Sequence, residues 1–278
     1  FINKLWNASR FVLMKLENFK KENYKLENLN DADKWMLTKL NETIHAVTKS
    51  MDKYEFNNAG SCLYSFIWDI FCDKYIEMSK FSESNGTKST LLYTITCIIK
   101  MLHPFMPFVT EEIYSNFEIK DTELLLQSEY PTYNKKQIYN DITKEIDNML
   151  EYITLFRNKK LENKISNDIE IIDYNNNTLL NKMLKLEDKI VETPTYKDKL
   201  TIELYSYKFD IYFDNSKNSE EEKQKIQEEI SKLETSIERR KKLLSNENYV
   251  NKAPEAIVNK EREDLAKEEH KLEILRKN

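Results

Sequence analysis

Hydrophobic residues recur at spacings of three and four along most of this chain, the periodicity of amphipathic helices. In the first helix, predicted over residues 1–22, the apolar positions are Phe1, Leu5, Ala8, Val12, Leu16 and Phe19. A second helix is predicted to begin at Asn30 or Asp31, either of which can cap it. Helical patterns continue to about residue 165, and Pro104 and Pro107 separate two of them. This part of the chain is therefore predicted to be an antiparallel helical bundle with short connections.

The period changes to alternation after residue 165. Three segments alternate like strands, at 168–174, 199–206 and 207–213, and a helical pattern at 178–191 lies between the first two. We therefore predict a small α/β unit over residues 166–216.

From residue 217 the helical period returns with a heptad-like seam. The seam comprises Ile226, Ile230, Leu233, Ile237, Leu244, Val258, Leu265, Leu272 and Leu275, with Arg240, Glu261 and Glu268 at core-like positions. The break at 245–254 contains Pro254, which can occupy the first turn of a return helix. The pattern predicts an antiparallel coiled-coil hairpin, an arm, over residues 217–278. The predicted fold class is mainly α, with three domains: 1–165, 166–216 and 217–278.

Composition narrows the class of protein. A third of the residues are charged and only two are Gly, which is typical of long helices. The net charge of −5 argues against a general nucleic-acid binder but permits contacts with a few phosphates. No apolar stretch is long enough to span a bilayer, so we expect a cytoplasmic protein without a membrane partner.

The candidate metal ligands are scattered. Cys62, Cys72 and Cys97 contain no C-x-x-C spacing, which predicts reduced thiols and neither a disulfide framework nor a zinc site. The three His residues are isolated from one another. We expect no metal site and no catalytic residue in this chain.

Five stretches resemble the C-terminal part of valyl-tRNA synthetases, in the order found in that family. They are NKLWNASRFVL (3–13), LNETI (40–44), YEFNNAGSCLYSFIWDIFCDKYIEMSK (54–80), LHPFMPFVTEEIY (102–114) and LSNENYVNKAPEAIVNKEREDL (244–265). The fourth stretch is shared with related class I synthetases. The first and the last together are typical of the valine enzyme.

The resemblance implies that the chain is part of a longer enzyme. The family's catalytic signatures, His-Ile-Gly-His and Lys-Met-Ser-Lys-Ser, are missing from this sequence. It implies ATP with Mg as cofactor of the full enzyme, and none in this segment. The implied partners are valine tRNA and the upstream catalytic and editing domains of the same chain, and we expect a monomer.

The resemblance implies that this region recognises RNA and takes no direct part in catalysis. Unstacked anticodon bases are read by hydrogen bonds to their edges and by stacking on aromatic or guanidinium planes. The residues that the resemblance assigns to the anticodon are Asn3, Asn7, Arg10, Phe11, Lys34 and Trp35. In the alternative interpretation, Asn7 and Arg10 cap or bridge helices of the bundle and Trp35 belongs to its core.

Two basic clusters are candidate phosphate sites. Arg157, Lys159 and Lys160 lie near a predicted helix end and would meet the tRNA stem, although cations also favour a helix C-terminus without any ligand. The run Arg239, Arg240, Lys241 and Lys242 lies in the arm and would meet the tRNA elbow. The alternative is that these four cations are ordinary coiled-coil charges, with the stem of Arg240 lying on apolar surface.

Two other functions fit parts of the sequence. The first is the same region of an isoleucine or leucine ligase, although the isoleucine enzyme typically ends in a Cys-rich zinc module that is missing here. The second is a structural coiled-coil protein that binds no RNA and would form a concentration-dependent dimer.

Overall fold

The computed structural model describes residues 1–245 and 255–277. Two compact units divide the chain. The first comprises Phe1–Asn158, Asp173–Ile190 and Ile202–Phe209, and the second comprises Lys159–Ile172, Val191–Thr201 and Asp210–Asn278. The described part is mainly helical with one small antiparallel sheet, which confirms the predicted fold class.

Seven α-helices precede the first strand. They are α1 (Ile2–Lys15), α2 (Asp31–Asp52), α3 (Phe56–Ser65), α4 (Ile76–Ser79), α5 (Asn85–Leu102), α6 (Pro107–Ser115) and α7 (Asn140–Glu162). A π-helical segment (Phe66–Tyr75) joins α3 to α4, and short 3-10 turns occur at Lys21–Asn23, Leu125–Gln127 and Lys135–Gln137. α5 ends two residues before Pro104, and α6 begins at Pro107, as predicted.

α2 is the central helix of the bundle. Its predicted apolar positions, Trp35, Leu37, Leu40, Ile44 and Val47, are all completely buried. Asn30 is the cap: its side chain accepts a hydrogen bond from the Asp33 backbone, and the Asp33 carboxylate accepts one from the Asn30 backbone. This reciprocal pair satisfies two backbone donors of the first turn and fixes where the helix starts.

Asp33 also joins three helical elements of the bundle. Its buried carboxylate accepts hydrogen bonds from the Tyr75 hydroxyl at 2.7 Å and from the Thr87 hydroxyl at 2.9 Å. Burial raises the pKa of Asp33, although these hydrogen bonds oppose the shift. These two hydrogen bonds connect the start of α2 to the π-helical segment and to the first turn of α5.

The first helix is shorter than predicted. It ends at Lys15, and Asn18 adopts a left-handed conformation with φ of 62°. Non-Gly residues do not continue a right-handed helix through that conformation, so the prediction of a helix to residue 22 was wrong. Leu5, Ala8 and Val12 are buried as expected.

Three strands form the sheet: β1 (Ile169–Asp173), β2 (Asp198–Leu204) and β3 (Tyr207–Phe213), in the spatial order β1-β3-β2. Their positions confirm the three alternating segments. The helix predicted at 178–191 is confirmed only in its first half. This helix, α8 (Thr178–Leu184), stops because Lys185 is left-handed with φ of 56°.

The last two helices pair with each other in the second unit. They are α9 (Asn215–Leu244) and α10 (Glu255–Lys277). Ile237 and Val258 are buried between them, and Leu233 and Leu265 are half-buried. The predicted helix start at Pro254 and the side chains of Ile226 and Leu275 lie outside the described residues.

Candidate nucleic-acid interface

The outer face of α1 carries exposed polar side chains without hydrogen-bond or ion-pair partners among the described residues. Asn3, Asn7 and Arg10 are spaced four and three residues apart, so they lie on one face of the helix. All three are exposed, and none makes a hydrogen bond or an ion pair to another described residue. Their unused donors and acceptors make this row, the α1 polar row, available to a ligand.

An anchored lysine flanks the α1 polar row. The Lys4 ammonium lies 3.7 Å from the centroid of the Trp68 ring and 2.7 Å from an Asp73 carboxylate oxygen. Trp68 stacks in turn on Tyr64, at 5.6 Å between ring centroids. These contacts fix one edge of α1 against the π-helical segment. The sequence analysis did not single out Lys4, although its position three residues before Asn7 was a usable signal.

Phe11 lies on the same flank as Lys4 and is half-buried. An aromatic ring that is partly fixed by packing and partly open can offer an edge or a face to an unstacked base. Phe11 therefore remains a candidate contact beside Asn7 and Arg10.

The assignment of Trp35 to the interface was wrong. Its side chain has no solvent exposure, and its indole Nε1 donates a hydrogen bond to Asp147 Oδ1 at 2.9 Å. The second Asp147 oxygen accepts from Lys39 at 2.8 Å. Trp35 therefore belongs to the bundle core, and a base could reach it only by unfolding part of α2.

Lys34, the neighbour of Trp35, is partly accessible. Its ammonium lies 3.3 Å from Asp31 Oδ1, one turn earlier on α2. An exposed pair at this spacing contributes little to stability, so the lysine can exchange its partner at small cost.

The three residues assigned to the tRNA stem have internal partners. Arg157 Nη2 donates to the Met183 carbonyl at 3.2 Å. Lys159 pairs with Glu162 at 2.8 Å, and Lys160 donates to Asn167 Oδ1 at 2.7 Å. Arg157 belongs to the first unit, and the two lysines belong to the second.

The four consecutive cations at 239–242, the arm cluster, lie in different environments. Arg240 is half-buried at the seam, where its guanidinium contacts Glu261, Asp264 and Glu268. The guanidinium donors of Arg240 therefore face three carboxylates of the arm, in keeping with the alternative interpretation of the run as coiled-coil charges.

The other three cations of the arm cluster are exposed. Lys241 pairs with Glu269 at 2.6 Å, and Lys242 pairs with Glu238 at 2.8 Å. Arg239 makes no ion pair within the described residues. Of the four consecutive cations, Arg239 alone has its charge uncommitted in the described part of the arm.

The described residues contain no cluster of His, Cys, Asp and Glu that could hold a metal ion. His103 Nδ1 lies 2.8 Å from the Thr110 hydroxyl, and His45 packs against Tyr133. Burial raises the pKa of the Cys97 thiol to about 12 and that of Cys72 to about 11, so both are protonated at neutral pH. None of the described helices is both long and apolar enough to cross a membrane.

Comparison with known families decides the assignment. The model of the anticodon-binding domain of tRNA ligase matches residues 33–174, about half of the chain. The chain belongs to this family. The model of the valyl tRNA synthetase tRNA binding arm matches residues 218–278, which contain α10 and most of α9.

Curated valine–tRNA ligases are similar to almost the whole of this chain. The enzyme of Staphylococcus saprophyticus is 37% identical over 95% of this chain, and that of Petrotoga mobilis is 34% identical over 99%. The chain spans about a third of the length of these relatives. A solved complex of LeuRS, tRNA and LeuAMS from Agrobacterium radiobacter K84 has a TM-score of 0.38 and 17% identity, covering 50% of this chain and 16% of its own.

Proposed function

We propose that this chain is the tRNA-recognition part of a valine–tRNA ligase, with valine tRNA as its partner. The observation that carries the proposal is the α1 polar row. An arginine and two amides are exposed with unused hydrogen-bonding capacity, on a chain of the anticodon-binding family. The relatives that match most of the chain are valine–tRNA ligases, which supports valine as the amino acid.

The chemistry of the α1 polar row suits unpaired bases. The amides of Asn3 and Asn7 each combine a donor and an acceptor, so they can pair with the donor and acceptor on one base edge. Arg10 offers donors in a planar fork, and that plane can also stack on a base. Phe11, beside them, adds an apolar surface. Together these groups can distinguish base edges rather than only bind phosphates.

We propose a division of labour along the chain. Residues 1–165 read the anticodon, residues 166–216 connect, and residues 217–278 form an arm on the tRNA elbow. Catalytic and editing domains of the same longer chain would attach valine with ATP and Mg. The recognition part contributes orientation, because a correctly held tRNA places its reacting hydroxyl near the activated amino acid. We further propose that this enzyme is a cytoplasmic monomer.

Binding to tRNA tests the proposal directly. Fluorescence anisotropy would measure the Kd of the 278-residue chain for valine tRNA, for the same tRNA with a changed anticodon, and for isoleucine and leucine tRNAs. We expect valine tRNA to bind most tightly and the changed anticodon to weaken binding, by a factor of about 5 to 150 for about 1–3 kcal/mol. Preference for another tRNA would indicate a sister ligase.

A matched pair of variants locates the recognition surface. Arg10→Ala removes a cation of the α1 polar row. Lys144→Ala removes an exposed cation of α7 that likewise has no ion pair among the described residues. We expect only Arg10→Ala to reduce discrimination between the two anticodons. Absence of tRNA binding, together with a concentration-dependent dimer in sedimentation, would instead favour a structural coiled coil.

A further inference from the structure

Exposed apolar side chains cluster beside the start of α6. Phe108, in the first turn of this helix, is 90% exposed, and its ring stacks on no other described residue. Leu126 is 74% exposed, and Leu124 is also exposed, on either side of the buried Leu125. Single exposed apolar residues are common on protein surfaces, whereas a group of them marks an interaction surface.

A hydrogen bond places these leucines on the side of α6 that carries Phe108. The backbone N–H of Leu125 donates to Glu111 Oε1 at 2.8 Å. Glu111 lies three residues after Phe108, so the two side chains are neighbours on one face of the helix. The short turn around Leu125 therefore lies about one helical turn from the Phe108 ring. We call Phe108, Leu124 and Leu126 the α6 patch.

The α6 patch has an acidic border. Residues 108–129 contain six carboxylates and one lysine. Four of these carboxylates are exposed and make no ion pair to another described residue: Glu112, Glu118, Glu123 and Glu129. Glu112 lies one turn after Phe108, and Glu123 directly precedes Leu124. The apolar centre is thus bordered by negative charge that the described residues leave unpaired.

An apolar centre with an acidic border selects the class of partner. RNA is disfavoured, because exposed carboxylates repel its phosphates and no member of the α6 patch is a cation. A second copy of this chain is disfavoured, because two-fold pairing would bring the same acidic border against itself. A protein surface with an apolar centre and basic residues around it fits both features.

We propose that the α6 patch docks on the catalytic part of the same longer ligase chain, at an apolar surface bordered by basic residues. The inference rests on the proposed function, in which catalytic domains belong to that chain. This chain spans about a third of the length of its relatives, so most of a ligase of that size lies outside it.

The physical case for docking is that a small patch suffices within one chain. A tethered domain is present at high effective concentration, so contacts too few to hold two separate proteins can hold two domains. Such a contact would fix the recognition part relative to the reacting centre. Attachment of valine needs this arrangement, because the reacting hydroxyl of the tRNA has to be held in place.

Surface oxidation measures whether the α6 patch is covered. Hydroxyl radicals oxidise accessible side chains, and mass spectrometry gives the rate at each residue in the 278-residue chain and in the longer ligase. We expect Phe108 and Leu126 to react at least about five times more slowly in the longer ligase, because a docked side chain loses contact with water. Leu161 on α7, which is 79% exposed, is the matched control and should react equally fast in both. Equal rates for Phe108 in the two proteins, or equal slowing of Leu161, would overturn the proposal.

A double variant tests what the contact does. Phe108→Ser with Leu126→Ser makes the α6 patch polar, and Leu161→Ser is the control. In the 278-residue chain neither change should shift the urea midpoint or the Kd for valine tRNA. In the longer ligase the double variant should slow attachment of valine to tRNA by about ten-fold, because this step needs a correctly placed tRNA. Valine-dependent exchange of pyrophosphate into ATP should be unchanged. An attachment rate equal to that of the wild type, or an equal loss in Leu161→Ser, would contradict the proposal.

Other occupants of the α6 patch would give different results. A weaker Kd of the double variant for valine tRNA would indicate an RNA surface. A concentration-dependent dimer of the 278-residue chain that the double variant abolishes would indicate a second copy. Either result would overturn the proposal. The anticodon preference of the unchanged chain reports on the proposed function separately, since the oxidation rates involve no tRNA.

Discussion

α1 and α9 both present compact groups of polar residues, yet the two helices use them differently. On α1 the side chains of Asn3, Asn7 and Arg10 have no partner among the described residues. On α9 three of four consecutive cations face carboxylates, and Arg240 alone contacts three of them. The difference teaches that a cluster of suitable residue types identifies a candidate surface, whereas unused hydrogen-bonding capacity decides whether the surface is available.

The largest expected effect concerns Trp35, whose only hydrogen-bond donor is already used inside the core. Trp35→Ala removes a completely buried ring and the donor to Asp147, so it should reduce the free energy of unfolding by about 3–5 kcal/mol. Urea denaturation followed by circular dichroism measures this loss. A loss below about 1 kcal/mol would contradict the placement of Trp35 in the core.

Trp35→Phe is the control for the aromatic volume. It keeps most of the apolar surface but removes the indole donor and part of the ring volume, so we expect a loss smaller than that of Trp35→Ala, about 1–2 kcal/mol. Neither variant should change the preference between two anticodons under conditions where it is folded.

The next effect concerns a carboxylate that is held by protein donors. Burial alone would raise the pKa of Asp121, but hydrogen bonds from Lys100 at 2.5 Å and Tyr114 at 2.6 Å lower it from 3.8 to about 2. The ionised form is thus favoured in the folded state, and stabilises it above the unfolded pKa. Because Asp121 is largely exposed, we expect Asp121→Asn to cost about 1 kcal/mol at pH 7.

The pH dependence provides the check on Asp121. The difference in unfolding free energy between wild type and Asp121→Asn should persist at neutral pH and disappear as the pH falls from about 4 towards 2. Urea denaturation at several pH values measures it. A difference that stays constant over this range would show that the amide perturbs packing and that the charge is irrelevant.

A third prediction concerns the seam of the arm. Arg240→Met leaves Glu261, Asp264 and Glu268 close together without their shared cation, so the arm should lose about 1 kcal/mol of stability. High salt should reduce the loss by screening the repulsion. Thermal unfolding followed by circular dichroism at two salt concentrations measures both effects.

Two companion variants sharpen the test at the seam. Arg240→Met combined with Glu268→Gln removes one of the like charges and should recover part of the loss. Arg239→Ala, at the neighbouring exposed position, should have no such effect. Equal losses in Arg239→Ala and Arg240→Met would contradict the assignment of Arg240 to an internal network.

The smallest effect on stability is expected on α1. Arg10→Ala breaks no ion pair or hydrogen bond among the described residues, so the free energy of unfolding should change by less than about 0.5 kcal/mol. Urea denaturation checks it against the wild type. A loss above 1 kcal/mol would mean that Arg10 holds the bundle together and that the α1 polar row is not free.

Periodicity predicted the helices and strands well wherever burial repeats along one element. The apolar positions of α2 and the three strands were confirmed because a buried face imposes its period on the sequence. The ends of α1 and α8 were missed because they depend on single left-handed residues, Asn18 and Lys185, whose types permit that conformation without requiring it.

The candidate site was predictable only in part. The spacing of Asn3, Asn7 and Arg10 placed them on one face, and the structure finds them exposed together. Trp35 was misassigned because a tryptophan suits both a core and a base-stacking surface. Arg240, Glu261 and Glu268 were all placed at core-like positions of the arm, but which of them meet depends on the register of two helices whose partners lie more than twenty residues apart in the chain.

A thermodynamic cycle tests the central claim most directly. It crosses Arg10→Ala with a changed anticodon and measures the Kd of all four combinations by anisotropy. If the α1 polar row reads the anticodon, the two changes should couple by about 1–3 kcal/mol, so that Arg10→Ala weakens binding of valine tRNA much more than binding of the changed tRNA. Equal weakening of both tRNAs by Arg10→Ala would give zero coupling and would contradict the claim.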